Sequence, residues 1–468
     1  MKSQIKRILC LLLAVCISVL CFAACKGKGN ADSGSKPSGT GSEEIVSYIK
    51  PEVSSDSIYA SPDWNPYATI SDSIKGSTVR FATWIDHTDT EGAVPLANFE
   101  ADTSLKAELY IVPQVGYVNT LMTKMASGDI PDVFVSNEVT QSFPLTLQIA
   151  APINKVSTVD LKDPIWDQSM LATGTIEGNI YLVNTIGSPW SGSNLVYFNK
   201  PLFEENGYTT PAQLYEQGEW TWDALLRCAK DIKSLGADYK GISLPVKILT
   251  DSMGTSFVKY NYKTAQFSSN INDPKLLQGY QWYAEARDQG LLDGTTAAFK
   301  QNKCGLVIIG VYGLKNTGYF MDMNPEDVGY TYLPSVKEGE KGLVSSIHRT
   351  YGIIDNAPNA DAAGYFIRYW LDPANYDLQN TFLTPQAGNF YYELINTVAD
   401  EKYFQFDDPL ATLTGENDAY PWRNPASSKS AAGVKTAIDS VSNKVTQAVD
   451  MANKLVQDKL ASDRLKYK

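Results

Sequence analysis

The sequence predicts an α/β protein, because segments with the two-residue period of strands alternate with segments that have the period of helices. Residues 78–84 alternate as a strand does, and residues 133–135 form a short apolar run between turn residues, which is typical of a buried parallel strand. Apolar residues of the segment 222–235 recur at helical spacing. Such alternation favours largely parallel sheets covered by helices.

Residues that typically begin or end helices support the prediction of the helices. Thr221 stands as the cap before the helix at 222–235, and Asp273 with Pro274 opens the next helix. Gly128 is placed to end an earlier helix. The remaining expected elements are strands at 109–112 and 306–311, helices at 118–125, 274–284 and 363–370, and one long amphipathic helix over 434–455.

Length and charge limit the classes of protein to which the chain can belong. Its 468 residues exceed what one core usually spans, so two or three domain-sized units are expected. The formal net charge of −12 argues against a nucleic-acid partner, which is gripped by clustered Lys and Arg. Aromatic residues make up 11% of the chain, a content that suits both cores and surfaces that hold flat, partly apolar ligands.

Cysteine and histidine are too sparse for a structural zinc site. Four of the six cysteines lie in the first 25 residues, which leaves Cys228 and Cys304 in the body, and the only histidines are His87 and His348. The two body cysteines either pair or remain as free, buried thiols, and the second interpretation is favoured. No cofactor and no metal are expected.

Residues 1–24 predict an export signal. A basic start that contains Lys2, Lys6 and Arg7 precedes an apolar run at 8–22, which is shorter than the ~20 residues of a membrane span. The ending FAAC at 22–25 resembles the lipobox of bacterial lipoproteins, in which Cys25 becomes the lipidated N-terminus, although Phe22 departs from the usual Leu. A plain signal peptide cut after Ala24, or an uncleaved anchor, are the alternatives.

Residues 25–76 are expected to link this anchor to the folded body. The segment 26–45 is rich in Gly, Ser, Lys and Asp, so it predicts a flexible tether. Residues 46–76 add Tyr48, Tyr59, Trp64 and Tyr67, and we interpret them as an extended lead-in that lies against the body.

Five blocks of the body resemble one family when they are taken in order. ASGDIPDVF at 126–134, after a helix that follows a strand, resembles the signature of family 1 extracellular solute-binding proteins, the maltose-binding-like receptors of ABC importers. The other blocks are GNIY at 178–181 with LVYFNK at 195–200 and LFEENG at 202–207, then WTWDAL at 220–225, FKQNKCGL at 299–306 and VGYTYLP at 328–334. Each block is weakly specific alone, whereas their common order over residues 78–334 is a strong signal.

The resemblance implies a two-lobed, periplasmic-binding-protein-like α/β fold in which the chain crosses between the lobes three times, near 185–190, 328–335 and 384–390. Lobe one is then 77–187 plus 333–385, and lobe two is 188–330 plus 388–468. It further implies a monomeric receptor that closes on a ligand and passes it to ABC permease subunits. The receptor would lie on the extracellular face of the cell membrane, anchored by the lipid on Cys25.

The candidate ligand contacts follow from the rule that open α/β sheets bind ligands beyond the carboxyl ends of their strands. The loops in question, together with an aromatic segment before the last helix that resembles a family cleft segment, supply Trp84, Asp86, His87, Asn137, Glu138, Trp190, Tyr312, His348, Arg349 and Trp422. Trp and Tyr rings can stack on the apolar face of a sugar, while Asp, Glu, Asn and Arg pair with its hydroxyls, so a mono- or oligosaccharide is the expected ligand. Core packing is the alternative for each Trp, and a surface loop without a ligand role is the alternative for His87.

Other functions remain open at this stage. The same fold could bind a peptide, a polyamine or a phosphate ester, or serve as a sensor or adhesin. A secreted glycosidase would need paired carboxylates, which a sequence alone does not exclude, but no G-x-S-x-G, P-loop or H-E-x-x-H motif with its required context is present. Asp86, Asp89 and Glu91 cluster in one loop, and we interpret them as a solvated acidic loop rather than a calcium site.

Overall fold

A computed structural model of the chain describes residues 52–467, except 115, 137–144, 186, 189–190, 262, 341–343, 377–380, 398–401, 404–409, 412 and 415–421. The predicted export signal, the predicted lipidation site at Cys25 and the predicted tether lie outside the described residues. Within the part that is described, no helix combines the length and the apolar character that crossing a bilayer requires.

The elements alternate as the sequence predicts. The strands are β1 (Thr78–Thr83), β2 (Lys106–Ile111), β3 (Val133–Ser136), β4 (Ala150–Ala151), β5 (Thr175–Ile176), β6 (Asn179–Ile180), β7 (Ser191–Asn199), β8 (Lys240–Ser243), β9 (Val258–Asn261), β10 (Gln266–Ser269), β11 (Cys304–Gly310), β12 (Val328–Thr331), β13 (Val344–His348), β14 (Thr350–Ile354) and β15 (Lys402–Tyr403). The helices are α1 (Ala93–Thr103), α2 (Tyr117–Ala126), α3 (Gln168–Thr173), α4 (Lys200–Glu204), α5 (Pro211–Glu216), α6 (Trp222–Ser234), α7 (Val246–Ser252), α8 (Pro274–Asp288), α9 (Thr296–Lys300), α10 (Ala360–Leu371), α11 (Pro385–Thr397), α12 (Arg423–Ser427), α13 (Val434–Ser440) and α14 (Ser442–Lys466).

Capping residues begin the helices where the sequence predicts them. The Thr221 hydroxyl accepts a hydrogen bond from the backbone N–H of Ala224 at the start of α6, and the Asp273 carboxylate accepts one from Lys275 at the start of α8. The prediction of a single long helix over 434–455 is wrong, because two helices cover this part of the chain. Val441 (φ −94°, ψ −3°) ends α13, where its N–H bonds to the carbonyl three residues back at Ile438, and α14 begins at the next residue, so α13 and α14 are separate helices.

The first sheet has the strand order β2-β1-β3-β14-β4. β1 runs parallel to β2 and β3, whereas β14 is antiparallel to β3. The buried Asp132 carboxylate joins three elements, since it accepts hydrogen bonds from the backbone N–H groups of Arg80 in β1 (2.9 Å) and of Asn359 (2.7 Å) before α10. Asp132, which belongs to the block ASGDIPDVF at 126–134, therefore stabilises the sheet.

The second sheet has the order β15-β13-β7-β11-β8, and β12 also pairs with β7. β7 is antiparallel to β11, β12 and β13, whereas β8 is parallel to β11 and β15 is parallel to β13. The expectation of largely parallel sheets is therefore wrong for this sheet. A short apolar run is equally typical of a central strand that is buried on both faces in a mixed sheet, and β11 is such a strand, with β7 antiparallel on one side and β8 parallel on the other.

Each sheet is the centre of one lobe, and the chain passes between the lobes through short links. Val183 pairs with Tyr351 of the first sheet, and β7 begins the second sheet at Ser191. Only Arg349 separates β13 in the second sheet from β14 in the first. The crossing expected at 328–335 thus lies later, at Arg349, because β13 still pairs with β7.

The rest of the predicted lobe boundaries stay predictions. After α10, which packs on the first sheet, Phe382 already pairs with Lys315 beside the second sheet. The C-terminal α14 packs on the core cluster of the first sheet: Asn453 bonds to Phe267 of β10 and Asp463 accepts a hydrogen bond from Tyr181, and both Phe267 and Tyr181 belong to that cluster. Cys228 and Cys304 are free, buried thiols, as the favoured interpretation expects.

The described part of the lead-in, residues 52–76, lies against the first lobe as expected. The Tyr59 hydroxyl donates to Asp160 (2.6 Å), and the guanidinium of Arg368 in α10 lies 5.3 Å from the centre of the Trp64 ring. Arg368 also forms ion pairs with Asp163 (2.9 Å) and Asp372 (2.5 Å), and its side chain is 12% exposed. One buried cation thus connects the lead-in to helix α10.

We expect Arg368→Met to lower the free energy of unfolding by about 3–5 kcal/mol, because it leaves Asp163, whose side chain is 6% exposed, buried without its partner. Urea denaturation measures this loss. The control is Lys454→Met in the exposed pair of Lys454 with Asp458, which should cost less than about 1 kcal/mol. Equal effects of the two substitutions would contradict the role assigned to Arg368.

Candidate functional site

Three loops meet where the two lobes join. Trp84 follows β1 and is partly exposed, and its ring packs edge-on against Tyr117 with 5.5 Å between ring centres. The guanidinium of Arg349, in the link between β13 and β14, lies 5.8 Å from the centre of the same Trp84 ring. The structure therefore brings together an aromatic ring of the first lobe and a cation of the crossing segment, both of which the sequence nominates.

A buried ion pair lies beside these residues and joins the lobes. Glu91, just before α1 of the first lobe, accepts a hydrogen bond from Lys315, in the turn after β11 of the second lobe. The side chain of Lys315 is 3% exposed and that of Glu91 is 7% exposed. Burial alone would raise the pKa of Glu91, but the charges of Lys315 and Arg349 lower it below its usual value, so the carboxylate stays ionised.

The turn that carries Lys315 also presents two exposed aromatic rings. Tyr312 is 42% exposed and Tyr319 is 48% exposed, and their rings meet edge to face with centres 6.1 Å apart. The ammonium of Lys315 lies 5.7 Å from the centre of the Tyr312 ring. Gly318 keeps the turn tight, since a Cβ atom there would lie 2.0 Å from the Tyr312 carbonyl oxygen. Exposed rings held in this way can stack on a ligand.

His87 belongs to the core of the first lobe. It is therefore neither a ligand contact nor a residue of a surface loop, and both interpretations from the sequence are wrong. It is 2% exposed, its ring nitrogens are hydrogen-bonded to the hydroxyls of Thr83 (3.3 Å) and Thr90 (3.2 Å), and its ring stacks on Phe81. Burial, together with the nearby Arg349 charge, lowers the pKa of His87 to about 3. A neutral, packed imidazole supports the loop from below and offers no surface to a ligand.

The acidic loop around His87 divides in two. Asp86 and Asp89 are exposed, and Asp86 accepts a hydrogen bond from the backbone N–H of Thr88. The interpretation as a solvated loop therefore holds for these two residues and is wrong for Glu91, which is buried in the ion pair. Among the residues that the structure describes, no group of His, Cys, Asp and Glu is arranged to hold a metal ion.

The structure does not place the other nominated residues at this site: one lies in the core, and the rest lie wholly or partly outside the described residues. Trp422 is 1% exposed and packs near Phe257, with 6.2 Å between ring centres, so it is a core residue and its nomination as a ligand contact is not supported. Asn137, Glu138 and Trp190 lie outside the described residues, as does the side chain of His348, whose backbone ends β13. Their roles stay predictions.

Sequence reasoning missed Glu91 and Lys315 as a pair and Tyr319 as an exposed ring. The two charged residues are 224 positions apart, so no local pattern joins them. Tyr319 could have been nominated from the sequence, because it lies seven positions after the nominated Tyr312 in the same Gly-containing turn segment.

A pocket of about 310 Å³ lies elsewhere, between the lead-in and α10, and its lining includes Trp64, Asp160, Asp163 and Arg368. Its carboxylates already have partners, because Asp160 accepts the Tyr59 hydroxyl and Asp163 pairs with Arg368. Its charged groups are therefore used to attach the lead-in, and the loops at the junction of the lobes are the better candidate site.

Comparisons with known proteins identify relatives of this arrangement. The family model described as bacterial extracellular solute-binding protein matches residues 76–377. A search of curated proteins found no significant match.

Solved structures share the fold at low sequence identity. The GacH receptor of Streptomyces glaucescens, solved without ligand and with acarbose, is 14% identical with a TM-score of 0.58, over 82% of this chain and 99% of that chain. The maltose/maltodextrin-binding domain MalE of Bdellovibrio bacteriovorus, bound to maltotriose, is 14% identical with a TM-score of 0.58, over 80% and 100%. A cyclic α-maltosyl-1,6-maltose binding protein of Arthrobacter globiformis is 15% identical with a TM-score of 0.57, over 82% and 98%.

The buried state of His87 predicts a specific pH dependence. Because its pKa of about 3 in the fold lies below the usual value of 6.5, only the unfolded chain binds a proton between these values. The stability contributed by neutral His87 is therefore complete above pH 6.5 and is lost as the pH falls toward 3. Between pH 7 and pH 5 this loss amounts to about 2 kcal/mol.

We expect His87→Gln, which keeps hydrogen-bonding groups but cannot titrate, to lose correspondingly less stability than the wild type between pH 7 and pH 5. Urea denaturation at both pH values measures the difference. A matching loss in both proteins, or an imidazole of His87 that titrates above pH 5 in nuclear magnetic resonance spectra, would show that the ring is not buried in neutral form.

Proposed function

The chain belongs to the bacterial extracellular solute-binding proteins, and from this membership we propose that it captures a mono- or oligosaccharide between its two lobes for uptake by an ABC importer. Members of this family are binding proteins and not enzymes. The ligand class and the delivery step are the proposal, and they rest on the chemistry of the residues at the junction of the lobes.

The observation that carries the proposal is the convergence of aromatic and charged side chains from both lobes at one place. Trp84 comes from the first lobe, Tyr312 from the second, and Arg349 from the link between them. A sugar has an apolar face of C–H groups and a rim of hydroxyls, so it needs flat rings and charged hydrogen-bonding groups side by side. This set of side chains provides both.

The structural relatives support a carbohydrate in preference to other solutes. The three relatives described above are named for, or were solved with, acarbose, maltotriose or a cyclic maltosyl-maltose. At about 14% identity they share the fold, and their ligands suggest the chemical class to test first in this protein.

The route to the membrane is proposed from the N-terminal sequence. An export signal at 1–24 would direct the chain outside the cell, and lipidation of Cys25 would hold it at the membrane surface. A tether at 26–45 would then let the receptor reach the permease subunits that accept the ligand. Because the lead-in lies on the first lobe, the tether would join the receptor through that lobe.

A thermal-shift screen tests the ligand class directly. We expect maltotriose or a related oligosaccharide to raise the melting temperature, because a ligand that binds only the folded form stabilises it by mass action. The panel contains maltose, maltotriose, glucose, a tripeptide and spermidine. A shift with the tripeptide or spermidine and none with any sugar would refute the carbohydrate proposal while retaining the binding-protein family.

Substitutions in the site should reduce affinity without unfolding the protein. We expect Trp84→Ala and Tyr312→Ala each to weaken binding of the best sugar about 5- to 30-fold, because each removes a stacking face worth about 1–2 kcal/mol. Isothermal titration calorimetry measures the affinity. The control is Tyr208→Ala, which removes a partly exposed ring beyond the opposite end of β7. If Tyr208→Ala weakens binding as much as the site variants do, the site is misplaced.

A further inference from the structure

The ion pair between Glu91 and Lys315 is a direct contact between the lobes. Glu91 precedes α1, a helix of the first lobe, and Lys315 follows the short helical turn after β11 in the second lobe. Neither residue lies in a crossing segment of the chain, so a separation of the lobes at this point would separate the two charges.

Both side chains of the pair are shielded from solvent. The side chain of Lys315 is 3% exposed and that of Glu91 is 7% exposed, whereas most other ion pairs of the described residues have at least one side chain that is a quarter exposed or more. When the lobes separate, water reaches both groups. The pair therefore exchanges full hydration in the open form for mutual attraction in the closed form.

Lost hydration and mutual attraction oppose each other in this pair. Burial lowers the pKa of Lys315 because the lost hydration outweighs the attraction of Glu91, while Glu91 itself is held ionised by Lys315. A complete pair thus contributes little net free energy to closure. The loss of one partner would be severe, because the other charge would be buried uncompensated each time the lobes close.

We propose that Glu91 and Lys315 are positioning residues for ligand capture: their ion pair fixes the geometry in which the lobes close, and the loss of either partner alone shifts the unliganded receptor toward the open form. The proposal rests on the two-lobed family fold and does not depend on the identity of the ligand. It also explains why the pair adjoins both nominated rings, since Lys315 lies next to Tyr312 and the charge of Arg349, which lies against Trp84, acts on Glu91.

The two charges should behave as a unit. Lys315→Met or Glu91→Leu alone leaves a buried charge and favours the open form. The double variant removes both charges and replaces them with apolar groups of similar size, so it should close as well as the wild type or better. A role of either residue in stability alone would not produce this recovery.

The first experiment uses small-angle X-ray scattering of the purified protein without ligand. We expect a larger radius of gyration for each single variant than for the wild type, and a return to the wild-type value or below in the double variant. The matched control is Lys300→Met with Asp322→Leu, which removes an exposed pair from the same lobe and should leave the scattering curve unchanged. Indistinguishable curves for the wild type and Lys315→Met would overturn the proposal whatever the protein binds.

The second experiment measures maltotriose binding by calorimetry. The apparent affinity falls in proportion to the closed, binding-competent fraction. We expect a loss of at least tenfold in each single variant and recovery to within about threefold in the double variant. Glu91→Gln, which keeps the shape and a hydrogen-bond acceptor, is the milder single variant for use if Glu91→Leu does not fold, and it should open the lobes to an intermediate extent.

The two experiments separate failure of this inference from failure of the proposed function. A wild type that binds no sugar, while the scattering of the single variants still shifts, refutes the carbohydrate ligand and retains the role of the ion pair. Sugar binding that is unaffected in all variants, with unchanged scattering, retains the proposed function and refutes the role of the ion pair.

Discussion

The arrangement of the site depends on one short covalent link. β13 belongs to the second sheet and β14 to the first, and Arg349 is the single residue between them. A link of one residue spans only about 3.5 Å, so the two sheets cannot move apart at this point. Loops at the carboxyl ends of β1 and β11 are therefore held within reach of one another. A rotation of the lobes about this link changes the distance across the site while the sheets themselves stay intact.

Separate cores allow such a rotation. Phe81, Phe366 and Trp370 pack together under the first sheet, and Val196, Leu225 and Ile308 belong to a different cluster under the second. Because the two sheets bury apolar surface in different clusters, movement of one sheet against the other need not expose either cluster. The polar contact between Glu91 and Lys315 lies across the junction, where water can replace it when the lobes separate.

Local patterns in the sequence predicted the elements better than their pairing. Thr221, Asp273 and Gly128 marked helix ends correctly, because capping and left-handed turns depend on residues a few positions apart. The antiparallel second sheet and the late crossing at Arg349 depend on partners far along the chain, which periodicity does not encode. For the same reason His87 and Trp422 were taken for loop residues, although the first lies beneath Trp370 and the second beside Phe257. Trp84, Tyr312 and Arg349 could be nominated from the sequence because the carboxyl ends of strands follow a general rule of α/β sheets, and the structure places Arg349 against Trp84.

The use of charges at the junction follows from what a reversible receptor requires. An apolar contact of the same size would gain free energy on closure in proportion to its buried area, about 25 cal/mol per Å², with little to offset it. A buried ion pair instead loses in hydration about what it gains in attraction, so it favours one geometry while adding little to the depth of the closed state. The differential contacts of a ligand can then decide the equilibrium, since a ligand shifts two states only by the difference in its affinity for them. A junction of this kind can close on a solute and still release it.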